Sequence, residues 1–218
     1  NGGAQSITGV GFKPDWTWIK NTTGYGHSQV LSNSVRPIGS FLISNAANAE
    51  VASTGLSSFD SDGFSMASGA SNAIDEINFE FISWNWKAGG TPSINTDGTT
   101  TSIVSANQAA GFSVVQFNST SAANSTIGHG LSAAPDLVIA KRYDSTGNWA
   151  VQVPPVSNGY LLLNSSQALN TSDTSIWNAT APTSSVFTAA GGSGKFFNAG
   201  SFISYCFTSI SGYSKVGT

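Results

Sequence analysis

The acidic side chains are the first candidates for chemistry, and one group of them has the spacing of a cation-binding loop. The stretch Asp60-Ser61-Asp62-Gly63 alternates acids, and alternate carboxylates present oxygen ligands to a hard cation such as Ca²⁺. The EF-hand pattern then fails, because Ser65 stands where glycine is needed and Ser71 where glutamate is needed. We interpret the stretch as a solvated turn and keep Asp60 and Asp62 as the only candidate metal ligands.

The second acidic group is Asp75, Glu76 and Glu80. A glycosidase needs two carboxylates that face each other across a cleft, whereas these three lie close together along one short segment. His27 and His129 each lie beside glycine, without further ligands at a spacing that a metal site would use. The sequence therefore predicts no catalytic residue, no cofactor and no enzyme activity.

Tryptophan side chains are candidates for glycan binding, because a row of exposed aromatic rings offers a flat apolar surface with a polar N–H at its edge. Two aromatic pairs each share one face of a predicted strand, namely Trp16 with Trp18 and Trp84 with Trp86. Their counterparts in an internal repeat are ordinary core residues, so we interpret all four as core. Trp149 and Trp177 fall in loop-rich segments and are the better candidates for surface contact with glycans.

Asn-X-Ser/Thr triplets are candidate glycosylation sites, although loops rich in Asn, Ser and Thr also generate such triplets by chance. Those at Asn118, Asn124, Asn164 and Asn170 fall in predicted loops, where a glycan would be tolerated. The full set of candidate acceptors is Asn21, Asn118, Asn124, Asn164, Asn170 and Asn178. Cys206 is the single cysteine, which excludes an internal disulfide, and its apolar neighbours predict a small buried side chain.

The elements that position these side chains are predicted to be short β-strands. Runs rich in Val, Ile, Phe, Trp and Thr are broken by Gly, Asn and Ser clusters, without a convincing helical period. With 9% charged residues, the chain has the composition of an extracellular or virion-surface β protein rather than that of a cytosolic enzyme. A net charge of −3 without a Lys/Arg run predicts no nucleic-acid partner. No segment has the length of a transmembrane helix, which predicts no membrane insertion.

An internal repeat organises the chain, because segments of the first half recur 119 to 123 positions later. The matched pairs are Pro14 with Pro135, Asn45 with Asn164, Phe64 with Phe187, and Phe81–Trp86 with 202–207. Offsets this constant indicate duplication. We therefore predict an all-β fold of two tandem homologous antiparallel β-sandwich units, of jelly-roll or lectin-like type, with long loops. Unit one is 1–90, a linker is 91–110, and unit two is 111–218.

One predicted strand does not occupy the position that the repeat predicts for it. Gly111–Phe117 (GFSVVQF) leads unit two and returns as Gly212–Thr218 (GYSKVGT), whereas no such strand precedes unit one. We predict that this segment adds as a strand to an open sheet edge of unit one, either in its own chain or in a neighbour. The donor residues are Gly212, Tyr213, Ser214, Lys215, Val216, Gly217 and Thr218, and the predicted acceptor lining is Phe12, Trp16 and Trp18.

Many short stretches from residue 5 onward form a specific pattern, namely QSITGVGFKPDWTWIKN, SSFDSDGF, WNWKAGG, INTDGTTTSIVSAN, AGFSVV, TIGHGLSAAPDLVIAKR, WNATAPTSSVF and YCFTSISGYSKVG. They resemble a repeated domain of tail-fibre proteins from marine and freshwater tailed phages. The resemblance implies an all-β domain that recurs along long fibres at the virion surface, and it identifies no catalytic residue. The stretch Asp75–Phe81 departs from that family, which has a small polar turn there.

These observations predict a structural subunit of an extracellular or virion fibre whose partners are copies of itself. The contact is head-to-tail, because donor and acceptor surfaces differ, and it propagates as a filament unless it closes into a ring. The alternative is a receptor-binding module of a tail fibre that recognises cell-surface glycans through loop aromatics and Asn/Asp side chains. Oligomeric form separates the two, since a binding module is a discrete particle.

Overall fold

The computed structural model describes residues 3–23, 26–52, 55–70, 74–120, 124–152 and 159–217. In these residues all of the regular secondary structure is β-strand, which confirms the all-β prediction. The strands are β1 (Gln5–Thr8), β2 (Trp16–Asn21), β3 (Val30–Asn33), β4 (Ser40–Ile43), β5 (Val51–Ala52), β6 (Leu56–Asp60), β7 (Gly63–Met66), β8 (Phe81–Trp86), β9 (Ser93–Asn95), β10 (Ser102–Asn107), β11 (Phe112–Ser119), β12 (Ser125–Gly128), β13 (Leu137–Arg142), β14 (Trp149–Gln152), β15 (Leu161–Leu162), β16 (Val186–Ala189) and β17 (Gly200–Phe207).

The described strands form antiparallel sheets of three, five, seven and two strands. The three-stranded sheet has the order β1-β7-β6, and the five-stranded sheet has the order β5-β4-β3-β2-β8. The seven-stranded sheet has the order β15-β14-β13-β17-β11-β10-β9, and β12 pairs with β16. Most strands that are adjacent in a sheet are thus joined by turns or by long polar loops, as the Gly, Asn and Ser clusters predict.

Three hydrophobic clusters lie between the sheets and define their layering. The first core joins the three- and five-stranded sheets and includes Ile19, Val30, Phe41, Leu56, Phe64 and Met66. The middle core joins the five- and seven-stranded sheets and includes Trp16, Leu31, Val114, Ile139, Ile203 and Tyr205. The third core joins the seven-stranded sheet to β12 and β16 and includes Val115, Phe117, Ile127, Phe187 and Phe202. The seven-stranded sheet is therefore covered on both faces, and the central residues of β17 are buried without alternation.

The predicted linker 91–110 is wrong, because it contributes the two strands β9 and β10 to the seven-stranded sheet. β9 pairs with β10, and β10 pairs with β11 from Ser102↔Phe117 to Asn107↔Phe112. Turn residues such as Asp97-Gly98 resemble a linker in sequence, but here they join two neighbouring strands of one sheet.

Candidate functional site: the open edge of β8

Strand β8 is the last strand at one side of the five-stranded sheet. Within the described residues it pairs with β2 alone, from Trp16↔Trp86 to Asn21↔Phe81. The segment that the repeat matches to it, 202–207 in β17, pairs with β13 on one side and with β11 on the other. Among the described residues, β8 therefore has no neighbouring strand on the side where β17 pairs with β11.

The backbone of β8 alternates between the paired and the open side. The N–H of Thr22 donates to the carbonyl of Glu80 at 2.8 Å, so the even-numbered residues of β8 bond to β2. By the alternation of an antiparallel ladder, the N–H and C=O groups of Phe81, Ser83 and Asn85 point to the open side. Such a row of backbone groups is a template for a further strand.

The side chains of β8 that face the middle core are also uncovered. Ile82 is 43% exposed and Trp84 is 42% exposed, whereas the residues matched to them in β17, Ile203 and Tyr205, are fully buried. Trp84 has an edge-to-face contact with Trp18 at 6.2 Å and presents the rest of its ring to solvent. The missing neighbour therefore leaves apolar surface exposed as well as backbone.

On the other face of β8, a cavity of about 230 Å³ opens into the first core. Its lining includes Ile7, Phe64, Met66, Phe81 and Ser83, with the carboxylates of Asp75 and Glu76 among the polar groups. Oε2 of Glu76 lies 3.1 Å from Nε2 of His27, a distance at which a protonated imidazole forms an ion pair. The cavity thus lies beside the open edge and is lined mostly by apolar side chains.

The equivalent space in the third core is filled by β11. Phe117 of β11 stacks on Phe202 at 5.5 Å and meets Phe187 edge-on at 6.0 Å. These two rings are the repeat counterparts of Phe81 and Phe64, which line the cavity beside β8. The cavity is therefore the space that a side chain of an added strand would enter.

The predicted acceptor residues lie near this edge, but neither tryptophan belongs to the edge strand itself. Trp16 is buried between Trp86 at 4.2 Å and Tyr205 at 4.3 Å, and Trp18 packs against the same middle core. Both lie on β2, which pairs with β3 on one side and with β8 on the other, so that no further strand can pair with it. Phe12 lines a second cavity together with Trp86. Sequence reasoning missed β8, although its match to 202–207 beside 111–117 was the available signal.

The predicted donor segment forms a turn in this structure. Ile210 and Ser214 exchange two backbone hydrogen bonds at 2.9 Å, and the N–H of Val216 donates to Oγ of Ser209 at 3.0 Å. Tyr213 is 73% exposed, and together with Val216 it lines the cavity that Phe12 and Trp86 share. Residues Gly212–Gly217 are therefore close to the carboxyl end of β8 without being paired to it, and Thr218 lies outside the described residues.

The carboxylates of the two candidate metal ligands accept hydrogen bonds from nearby hydroxyl and backbone N–H groups. Asp60 accepts hydrogen bonds from the hydroxyls of Ser58 and Ser65, which lower the pKa of its carboxyl. Asp62 accepts the backbone N–H groups of Gly11 at 2.6 Å and Gly9 at 3.0 Å, and these bonds lower its pKa as well. No group of three or more His, Cys, Asp or Glu side chains in the described ranges comes together in a way that could hold a metal ion.

The predicted glycan contacts are wrong, because Trp149 and Trp177 are 0% and 1% exposed. The indole N–H of Trp149 donates to the carbonyl of Ile43 at 2.8 Å, in the middle of the molecule. The ring of Trp177 packs against Phe197 at 5.3 Å in the third core. Trp149 begins a buried strand, and the irregular segment around Trp177 folds over a core, which local sequence could not show. Cys206 is buried as predicted, and burial raises the pKa of its thiol to about 12.

The candidate glycosylation sites divide by exposure. Asn118 and Asn124 are exposed, although Asn118 lies in strand β11 rather than in the predicted loop. Asn21 is buried, which contradicts its candidacy. The remaining three are half-buried, namely Asn164, whose amide oxygen accepts the N–H of Trp149, Asn170, whose amide oxygen accepts two backbone N–H groups, and Asn178, which has a positive φ of 53°.

These features define, for the described residues, an all-β domain with layered antiparallel sheets, in which β8 is an open and partly apolar sheet edge. The chain belongs to the family described as domain of unknown function DUF7483, whose model matches residues 1–218. No curated protein and no solved structure matches the chain. The family description names no function, so the resemblance to tail-fibre domains stays a prediction. In the described ranges, no helix has the length and apolar character needed to span a membrane.

Proposed function

We propose that the chain is a structural subunit of an extracellular or virion-surface fibre, which assembles with copies of itself by strand addition at β8. The observation that carries this proposal is the open edge of β8, beside a cavity and two exposed apolar side chains. Main-chain hydrogen bonds give such a contact its affinity, and side chains that enter the pocket give it specificity. Since donor and acceptor are different surfaces, the contact is head-to-tail and extends into a filament.

The proposal includes two homologous sandwich units, and matched hydrogen bonds support them. The N–H of Asp15 donates to Trp86 O at 2.8 Å, and the N–H of its counterpart Asp136 donates to Phe207 O at 2.7 Å. A carboxylate oxygen of Asp15 accepts the N–H of Ala88 at 2.8 Å, and that of Asp136 accepts the N–H of Ser209 at 2.7 Å. Both sets link the start of one strand to the end of its neighbour.

The strand orders support the same reading. The order β4-β3-β2-β8 in one sheet corresponds to β15-β14-β13-β17 in the other. Beyond β17 the second sheet continues with β11, whereas among the described residues the first sheet stops at β8. On this reading, the first unit is a sheet that a strand like β11 would complete.

The alternative function, recognition of cell-surface glycans, relied on loop aromatics together with Asn and Asp side chains. The aromatic candidates Trp149 and Trp177 are buried and cannot contact a ligand, which leaves the alternative without its aromatic surface. We therefore advance the assembly role alone.

A proline scan of β8 tests the proposal. Ser83→Pro removes an N–H that points to the open side, which an edge strand tolerates, so we expect unfolding free energy to change by about 1 kcal/mol or less. Ile82→Pro, the matched control, removes an N–H bonded to β2 and should cost about 3 kcal/mol or more. Sedimentation velocity over a range of concentrations should show oligomers for the wild type and a monomer for Ser83→Pro. A wild type that stays monomeric at every concentration would overturn the proposal.

A further inference from the structure

We propose that the occupant of the β8 edge is the segment Gly212–Thr218 of a second copy, antiparallel to β8, with Lys215 opposite Trp84 and Val216 opposite Ser83. This inference rests on the proposed function and adds the partner and the register. Three observations support it. They are the pairing of β11 with β17, the polarity of the side chains on the two faces of the β8 edge, and the turn that the segment forms in its own chain.

The register follows from β11 and the repeat. β11 pairs with β17 so that Val114 lies opposite Tyr205 and Val115 opposite Ser204. The repeat matches Tyr205 and Ser204 to Trp84 and Ser83, and it matches Val114 and Val115 to Lys215 and Val216. Transferring one pairing onto the other places Lys215 at Trp84 and Val216 at Ser83.

On the cavity side of β8, the segment keeps the valine of β11 opposite Ser83, whereas Thr218 stands where β11 has Phe117. Val115 is fully buried in the third core, and its counterpart is also valine, Val216. In the proposed register, the side chain of Val216 enters the cavity lined by Phe64, Met66 and Phe81. A buried valine at this position removes apolar surface of the cavity from water.

On the opposite face, the segment differs from β11 at a position where the surroundings of β8 differ from those of β17. Val114 is fully buried in the middle core, whereas the same face of β8 leaves Trp84 open to solvent. The residue that replaces Val114 is Lys215, whose aliphatic stem covers the indole while its ammonium stays in water or over the ring. At these two positions, Val216 on one face and Lys215 on the other, the segment therefore matches the polarity of the β8 edge.

The segment's own position favours a second copy as its source. It begins five residues after β17 and lies beside Trp86, near the carboxyl end of β8. It nevertheless forms the Ile210–Ser214 turn and stays unpaired. The connection to β17 thus disfavours pairing within the chain, and a segment from another copy lacks this restraint.

Disulfide trapping tests partner and register together. Trp84 and Lys215 would form a non-hydrogen-bonded pair with Cα atoms about 4.5 Å apart, within the range for a disulfide. Trp84→Cys and Lys215→Cys are made as separate full-length proteins, mixed and oxidised, and a covalent dimer on a non-reducing gel is the expected result. The matched control replaces Trp84→Cys by Ile82→Cys, which is equally exposed on the same face but about 7 to 8 Å away on the diagonal.

We expect the Trp84 pair to cross-link at least ten times faster than the Ile82 pair. The native Cys206 is buried and should not compete. Equal or reversed rates would overturn the register. In a double variant that carries both Trp84→Cys and Lys215→Cys, a cross-link that forms only within one chain would overturn the second-copy source. Hydrogen exchange of the unmodified protein adds a readout without substitutions, because Ser83 and Asn85 amides should gain at least tenfold protection on oligomerisation.

The outcomes separate the two levels of inference. If the wild type forms oligomers that Ser83→Pro abolishes, but the Trp84 pair does not cross-link, strand addition stands and this occupant is wrong. If the wild type forms no oligomer at all, the proposed function itself fails.

Discussion

At the scale of single residues, Lys141 is an unusual feature of this weakly charged protein, because its side chain is 0% exposed. Its ammonium donates to the carbonyl oxygens of Arg142 at 2.7 Å, Gly147 at 2.8 Å and Ala47 at 3.4 Å. Burial, with a smaller effect of the Arg142 charge, lowers its pKa to about 8. The side chain thereby ties the loop at Ala47 to the turn that follows β13.

This pKa predicts how stability depends on pH. Well below pH 8 Lys141 is protonated in both the folded and the unfolded state, and its contribution to the unfolding free energy is constant. Between pH 8 and about 10.4 the unfolded state binds more protons, so the unfolding free energy rises with pH, by at most about 1.4 kcal/mol per unit. Denaturant unfolding at pH 7 and pH 9.5 should show the wild type gaining stability relative to Lys141→Met, in which this titration is absent.

The comparison with Lys141→Met isolates one group, because Tyr205 and Cys206 titrate in both proteins and cancel. Lys13→Met, at an exposed lysine, controls for the loss of one positive charge. A difference between wild type and Lys141→Met that stays constant from pH 7 to pH 9.5 would contradict the prediction.

At the scale of elements, Gly63 determines how closely β1 can pair with β7. It has a φ of +143°, and a Cβ at this position would overlap the carbonyl oxygen of its neighbour Ile7. We expect Gly63→Ala to separate the two strands and to lower the unfolding free energy by about 2 kcal/mol or more, measured by denaturant unfolding.

The control for Gly63→Ala is Gly194→Ala. Gly194 also has a positive φ, of +74°, but a Cβ there would meet nothing within 4 Å. It therefore measures the cost of a side chain at a positive φ without a close contact, about 1 kcal/mol. Equal losses for the two variants would show that the close approach of β1 to β7 does not matter.

At the scale of elements, the sequence predicted the positions of strands better than it predicted which strands pair with each other. Alternating apolar residues and the repeat identified β2, β8, β13 and β17, because these signals are local. The pairing of β10 with β11, the burial of Trp149 and the open edge at β8 depend on contacts between distant segments. Local propensity carries no information on such contacts, so the linker and the glycan contacts were predicted wrongly.

At the scale of the whole molecule, the middle core joins the two largest sheets. Trp16 of β2 stacks on Tyr205 of β17 at 4.3 Å, and the amide of Asn33 in β3 donates to the hydroxyl of Tyr205 at 2.9 Å. Glu50 donates its N–H to the carbonyl of Tyr143 and also forms an ion pair with Arg36. Aromatic packing and hydrogen bonds therefore cross between the sheets at several points.

This shared core predicts that the monomer unfolds in one cooperative transition, although its sequence repeats. Differential scanning calorimetry, at a concentration where the protein is monomeric, should give a single peak with equal calorimetric and van't Hoff enthalpies. Trp16→Ala should destabilise the whole peak by about 3 to 5 kcal/mol, because it leaves a cavity between the sheets. Trp84→Ala, at the exposed edge, should cost far less. Two resolved peaks in the wild type would mean that each sheet pair folds independently and that the middle core is only a contact between them.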